Sequence, residues 1–391
     1  MSIAERVMLL AVAWGDRVVP KTDAVVVRTS PDFDDQGREL VAALVRAGHT
    51  RITWLVTERT DPGPAGAVAG RVVRARSFAG LRAYWRARTV VHTHGVFGSR
   101  RTSRAKVYVN IWHGMPVKRL PQGSDVGRNQ TDLTIATAPI HVRNLAETWG
   151  LAPEQVAVSG LPRNDVLVTE AAAPMPAVLR ELTGGRPLVV WLPTYRSIVG
   201  DDAVDGVDVG TVSQFSGGTA EAINAVLARL DVHAVLKPHP LAPRPMVARL
   251  SHLHVWDETD LNDSGLTLYH LLAHTDVLIS DHSSVWIDFL LTQRPIVFAA
   301  SDLEEYAGSR GFYFDPVTDL FPGPLVTDLE ALERELGALV DAPEGDDAWA
   351  SPRREALHLH HVHVDASSAD RVARLVLDAR PRPRGRAPGR T

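Results

Sequence analysis

Cysteine is absent from the 391 residues, which excludes disulfides, zinc–thiolate and iron–sulfur centres and a thiol nucleophile. The absence fits a reducing compartment. Long hydrophobic runs are missing as well. The apolar stretch that follows Arg6 covers about eight residues, far short of the ~20 that a membrane span requires. No small-residue cleavage site follows it. The sequence contains no G-x-G-x-x-G, Walker A or H-E-x-x-H pattern, which argues against a nicotinamide site, a P-loop and a zincin. The net charge is −4, so no global positive field invites nucleic acid. The tail 379–391, "ARPRPRGRAPGRT", carries five arginines among Pro and Gly. It lacks an apolar anchor and is expected to be disordered, either simply solvated or weakly attracted to anionic lipid. These absences describe a cytoplasmic protein, with peripheral attachment to the inner membrane surface left open. Trp14, Trp54, Trp85 and Trp149 are the aromatic candidates for such a contact, against burial in the core.

What is present is an α/β pattern, and it occurs twice. Short apolar runs alternate with helical ones: "DAVVVR", "TRITWLVTE", "ARTVVHTHG", "AKVYVNIWHG" and "LTIATAP" in the first half, then "PLVVWLPTYR", "HAVLKPHP", "DVLISD" and "RPIVFAA". Several are apolar on both faces, as parallel strands covered by helices on each side require. The pattern predicts two Rossmann-type domains facing each other across a cleft. Residues 1–160 are expected to form the first domain and 161–378 the second, and the tail follows. Ligands in such sheets sit at the carboxyl ends of the strands. The polar stretch 197–218 is long for a connection in a compact domain, a length that often marks function.

Four polar clusters fall where a strand has just ended: "IWHGMPVK" (111–118), "LPTYR" (192–196), "LKPHP" (236–240) and "ISDHSS" (279–284). In the last, Asp281, His282 and Ser283 are consecutive, so their side chains diverge and cannot form a hydrolase triad. Ser283 or Ser284 is expected to cap a helix over 284–291, and exposed amides at that helix start suit a phosphate. The alternative is a plain cap with nothing bound. Asp281 would repel an anion, so its carboxylate takes loop amides or a ligand's hydroxyls. His239 is held between two prolines, with Lys237 one alternation away. His113 ends a strand beside Gly114, which permits close backbone approach. Arg196 offers a planar bidentate donor for phosphate. "HLHHVHVD" (358–365) has the look of a metal site, but Asp365 alone cannot complete the shell of His358, His360, His361 and His363. A polar surface segment is the expectation there, and no metal or other cofactor is predicted.

The clusters, together with "GLPRNDVL", "LYHLLAHTDVLISDHSSVWIDFLL", "RPIVF" and "DLEEYAGSRGFYFD…FPGPLVTD", resemble the CDP-glycerol glycerophosphotransferases: teichoic-acid primases and polymerases and related capsule enzymes. The resemblance covers about 107–330, with a weaker continuation through "DASSADRV". It implies a GT-B-like fold, with the acceptor presented by the 1–160 domain and the CDP-activated donor held by the 161–378 domain, and phosphoryl transfer. An acceptor hydroxyl would attack the β-phosphorus of a CDP-activated polyol, glycerol in the first instance and ribitol as the alternative, and CMP would leave. The acceptor would be a lipid-linked or oligomeric polyol phosphate or glycan. The family histidines fall on His113 and His239, and the phosphate-binding positions on Arg196, Asp281, Ser283 and Ser284, with Lys237 beside them. Gly114, Arg163, Asn164, Asp165 and His282 are supporting candidates. His282 stands where the family has an aromatic residue, and Lys237 and Pro238 also depart from the family's text. Such a reaction needs positioning and positive potential, and a histidine suits removal of a hydroxyl proton. His113 is expected as the base and His239 as the donor of a hydrogen bond to the phosphate, with the reverse assignment open. Two rivals remain at this level: a glycosyltransferase or epimerase using a uridine nucleotide, and a non-catalytic nucleotide-binding protein.

Overall fold

The computed structural model describes residues 3–60, 68–98, 101–119, 127, 129–193, 219–238, 249–300, 303, 311–343 and 345–381. Its contacts divide the chain into two units: Met1–His113 with Pro121–Asp165 and Ser367–Thr391, and Gly114–Leu120 with Val166–Ala366. This differs from a single cut at 160/161. The final helix, Ser368–Asp378, belongs to the first unit. The reason is a set of polar ties. The Asp165 carboxylate accepts from the backbone N–H groups of Ser368 and Ala369, both at 2.8 Å. Arg371 Nε donates to the Ser159 carbonyl at 2.8 Å.

In the first unit the strands are β1 (Thr22–Arg28), β2 (Ile52–Val56), β3 (Arg71–Arg74), β4 (Ala87–His92), β5 (Val107–Asn110), β6 (Leu133–Ala136) and β7 (Val156–Val158). They form one parallel sheet in the order β3-β2-β1-β4-β5-β6-β7. Val25–Val27 and Val90–Val91 are buried on both faces, as the unbroken β-branched runs demand. Helix Asp35–Arg46 follows β1, with Asp34 at its N-cap accepting from Gly37 N at 2.8 Å. Helix Ile3–Val18 is held by buried charge: Asp16 pairs with both Lys21 and Lys106 at 2.9 Å. Burial pushes the Lys106 amine down to about 8, and the Asp16 carboxylate limits the fall. The same helix approaches Trp85 so closely that a Cβ at Gly15 would lie 2.4 Å from the indole.

In the second unit the strands are β8 (Leu188–Leu192), β9 (His233–Leu236), β10 (Leu253–Val255), β11 (Val277–Ser280), β12 (Ile296–Ala299) and β13 (Leu325–Val326). This sheet is also parallel, in the order β10-β9-β8-β11-β12-β13. One face packs Val189, Trp191 and Ile279 against helices Ala220–Arg229 and Leu329–Asp341. Each sheet reverses the sense of its strand order once, between β1 and β4 and between β8 and β11. Those are the switch points at which open α/β sheets bind ligands.

Two expectations change. "HLHHVHVD" is a surface segment only in part: helix Ala350–His360 runs into it, His358 and Asp365 are exposed, and His360 and His361 are buried. The His360 ring lies edge-on to Trp286 at 5.1 Å, and burial lowers its pKa to about 3. His361 Nε2 bonds the Ile287 carbonyl at 2.7 Å. These rings complete a core. The second change is at 284–291, where the helix spans only Val285–Phe289 before a 3₁₀ turn, Leu290–Thr292. The stretch 197–218 and tail residues 382–391 lie outside the described residues. Among the described residues, no helix is long and apolar enough to cross a membrane, and no cluster of three or more His, Asp or Glu could hold a metal.

Candidate active site

The described parts of three of the four polar clusters lie side by side in the second unit, at the carboxyl ends of β8, β9 and β11. The register accounts for this, since Trp191 pairs with Leu236 and Leu192 with Ser280. Leu192–Pro193, Lys237–Pro238 and Asp281 therefore leave the sheet together, and the first and last of them flank the switch point. Arg196 and His239, a few residues further along, lie outside the described residues. Lys237 is buried and its ammonium pairs with Glu258 at 2.7 Å, so its charge is shared with a carboxylate. Asp281 is fully buried and accepts the Ser283 N–H at 2.8 Å, closing an Asx-type turn. A loop amide is one of the two kinds of partner expected of it. Ser284 occupies the N-cap position, yet its side chain makes no capping bond. The expected serine cap is absent because Ser284 has helical backbone angles (φ −68°, ψ −3°) rather than the extended ones from which a serine caps, and the Ile287 N–H goes to its carbonyl at 3.1 Å. Ser283 and Ser284 stay half-exposed at the strand end.

His282 faces inward. It is fully buried, edge-on to Phe312 at 5.9 Å. Phe312 belongs to a short antiparallel bridge with Lys118, reinforced by Tyr313 N to Val117 O at 3.0 Å and by Arg119 Nε to Phe312 O at 2.8 Å. The "MPVK" and "GFYFD" stretches thus support the Asp281 turn from one side.

The first unit has a strand-end site of its own. β5 ends at Asn110, whose Oδ1 accepts the Trp112 N–H at 3.0 Å. Trp112 is left-handed (φ 49°), and Gly114 follows at φ 145°, where a side chain is strained. This turn presents an exposed His113. Its ring contacts Trp112 at 4.0 Å and stacks on His94 at 4.5 Å with an interplanar angle of 7°. His94 follows the end of β4, beside the switch point. Below it, His92 is buried: Gly95 N–H donates to its Nδ1 at 2.9 Å, so Nε2 carries the proton toward the Gln130 carbonyl at 2.7 Å. Burial lowers its pKa to about 4, and the bond to the Gln130 carbonyl opposes the fall. Gln36, fully buried, ties the turn to the "RND" segment. Its Nε2 donates to Ile111 O at 2.8 Å and its Oε1 accepts Arg163 N–H at 3.2 Å.

The sequence profile of the CDP-glycerol:poly(glycerophosphate) glycerophosphotransferases matches residues 10–378. The chain belongs to this family. A teichoic acid ribitol-phosphate primase of Bacillus spizizenii is 28% identical over 63% of this chain and 59% of its own length. A teichoic acid poly(glycerol phosphate) polymerase of Staphylococcus epidermidis is 26% identical over 59% of this chain and 33% of its own. The chain thus spans from about a third to about three-fifths of the length of these curated relatives. The solved wall teichoic acid polymerase TagF superposes with a TM-score of 0.73 at 20% identity, covering 96% of this chain and 94% of that one. The fold is therefore the GT-B-like one.

Within this glycerophosphotransferase family fold, the motif residues separate by physical role. Asp165 is accounted for by its bonds to the final helix, which tie "GLPRND" to "DASSADRV". Asn164 is buried, and neither its amide nitrogen nor its oxygen has a hydrogen-bond partner among the described residues. His94 was missed in the sequence, although "VVHTHG" ends a strand as "VNIWHG" does. The tryptophans also separate. Trp54 and Trp149 are 1% exposed, whereas Trp14 is 69% exposed, in line on one helix with Val7, Leu10 and Val18.

Proposed function

We propose that this glycerophosphotransferase-family chain moves a polyol phosphate, glycerol or ribitol phosphate, from a CDP-activated donor to an acceptor hydroxyl and releases CMP, in the synthesis of a teichoic-acid-like polymer. The observation that supports the reading is that Leu192–Pro193, Lys237–Pro238 and Asp281–Ser284, the described parts of "LPTYR", "LKPHP" and "ISDHSS", leave adjacent strand ends around a switch point. Arg196, the Ser283 and Ser284 hydroxyls and Lys237 meet the negative charge spread over the transferring phosphate. Asp281 fixes the turn that presents the serines. His113 takes the hydroxyl proton as the acceptor oxygen bonds to phosphorus. His239 hydrogen-bonds the transferred group, and CMP departs with the electron pair of the broken P–O bond. No metal enters this scheme, so activity is expected to survive EDTA. The acceptor is a lipid-linked or oligomeric polyol phosphate. The exposed row Val7, Leu10, Trp14 and Val18, flanked by exposed Arg6 and Arg17, would lie on the membrane surface that carries it.

Product mass spectrometry with CDP-glycerol, CDP-ribitol and UDP-sugars, with CMP and UDP release followed in parallel, tests the reading. Polyol phosphate added to the acceptor with CMP release supports it, and UDP release overturns it. His113→Ala and His239→Ala should each collapse kcat while donor binding survives. Unchanged turnover in both variants would remove the histidines from the reaction.

A further inference from the structure

His94 is exposed, yet the loop that carries it is pinned throughout. Its Nδ1 bonds Thr93 Oγ1 at 2.9 Å, and that oxygen accepts the Ser30 N–H at 3.0 Å. Gly95 N–H is held by His92. Gln130 accepts Val96 N–H at 2.9 Å and donates to Val96 O and Gly98 O at 3.0 and 2.8 Å. So much anchoring of a short loop fixes one ring at one place, and that place is flat against His113. We propose that His94 is a positioning residue for His113: its neutral ring is a shelf that sets the plane of the His113 imidazole and stabilises the imidazolium formed when His113 takes the acceptor's hydroxyl proton. The step balances. The proton leaves the hydroxyl for a His113 ring nitrogen, the oxygen bonds phosphorus, CMP leaves, and His113 returns the proton to water.

A shelf of this kind must stay uncharged, because two imidazolium rings at this spacing would repel. Desolvation disfavours the charged form of His94. Among the described residues, the titratable groups on the elements around it include Arg28 at the end of β1, Asp32 and Asp34 after it, His92 on β4 and His113 after β5. The charge of His94 bears on His92, which burial keeps neutral. A neutral aromatic face beneath a cation is attractive, and the attraction is present only when His113 is protonated. The gain therefore appears in the charged state that proton abstraction creates.

The inference rests on His113 as the base, and its test separates the two. The His113 ring is titrated by NMR in the wild type, His94→Ala and His94→Phe, with His113→Gln assigning the signal. The midpoint should fall by about half a pH unit in His94→Ala and recover in His94→Phe. Turnover of the CDP-polyol should fall about two- to fivefold in His94→Ala at unchanged donor KM, and His94→Phe should restore it. An unmoved midpoint in His94→Ala, or an equal shift in His94→Phe, overturns the shelf. Full activity of His113→Ala would instead overturn the base assignment, with the NMR titration still deciding whether the rings are coupled.

Discussion

Replacing Asp165 distinguishes a structural from a catalytic account of the "RND" segment. Its carboxylate accepts two backbone N–H groups at the start of the final helix, Ser368 and Ala369, and both residues are buried. Hydrogen bonds to an ionised group contribute roughly 1.5–3 kcal/mol each, and a buried N–H left unpaired costs a similar amount. Two such bonds would suggest about 3–6 kcal/mol. Burial acts against them: it pushes the Asp165 carboxyl above its ordinary pKa despite both bonds, so removing the charge also removes a desolvation penalty. The expected loss for Asp165→Ala is therefore about 2–3 kcal/mol. Asp165→Asn keeps one acceptor but turns its amide toward the second N–H, and should lose about 1–2 kcal/mol. Urea unfolding followed by tryptophan fluorescence should show a lower midpoint at unchanged slope. CMP release measured well below the transition should stay within about twofold of wild type, because no transition-state interaction is removed. A hundredfold fall in kcat with an unchanged urea midpoint would refute the capping account and place the carboxylate in the reaction.

Three further outcomes follow from particular side chains. His92 is held neutral in the fold, with its pKa lowered to about 4 by burial. The unfolded chain then binds the extra proton below pH 6.5, so stability is complete above that value and declines as pH falls toward 4, by about 3 kcal/mol for this group. His92→Asn should flatten urea midpoints between pH 7 and 4.5 by about that amount, and an unchanged slope would sink the assignment. Ser284→Ala should alter stability by less than about 0.5 kcal/mol because no capping bond is lost, whereas Thr219→Ala, which removes a real cap on helix Ala220–Arg229, should cost about 1 kcal/mol. A rise in donor KM for Ser284→Ala would assign its hydroxyl to the phosphate. Leu10→Glu with Trp14→Glu should leave the fold intact, since both side chains are exposed, and abolish flotation with anionic vesicles. Flotation equal to wild type would remove this face from any lipid contact.

How much of the molecule was legible follows from what each residue's neighbours are. The central strands announced themselves because burial on both faces demands uninterrupted Val and Ile. The edge strands Arg71–Arg74, Val156–Val158, Leu253–Val255 and Leu325–Val326 did not, being two to four residues long with little apolar run. The helix start at Ser284 was misread because a serine at that position ordinarily caps. Here the Asx turn closed by Asp281 leads into a Ser284 whose backbone is already helical, so its hydroxyl is not placed to cap. The bond from Asp165 to Ser368 spans 203 residues and carries no local pattern at all. Its trace was the presence of two motif fragments in a single chain.

The strand-end clusters teach the converse. Each was visible alone, and each alone was weak, because strand ends are where turn residues gather. Their weight comes from order: β9, β8 and β11 are neighbours in the sheet although "LKPHP" and "ISDHSS" follow "LPTYR" by dozens of residues. A parallel sheet wound in this order brings the carboxyl ends of its first, second and fourth strands to one edge, whatever lies between them in sequence. The same order in the first unit sets β4 between β1 and β5, which is why His94 meets His113. "VVHTHG" lies one strand before "VNIWHG", and that spacing in a parallel sheet is the sequence signal for the pair. What no sequence spacing supplies is the parallel stacking of the two rings. That depends on Trp112 adopting a left-handed backbone and on Gln130 holding the opposite loop, two features that a local reading treats as noise.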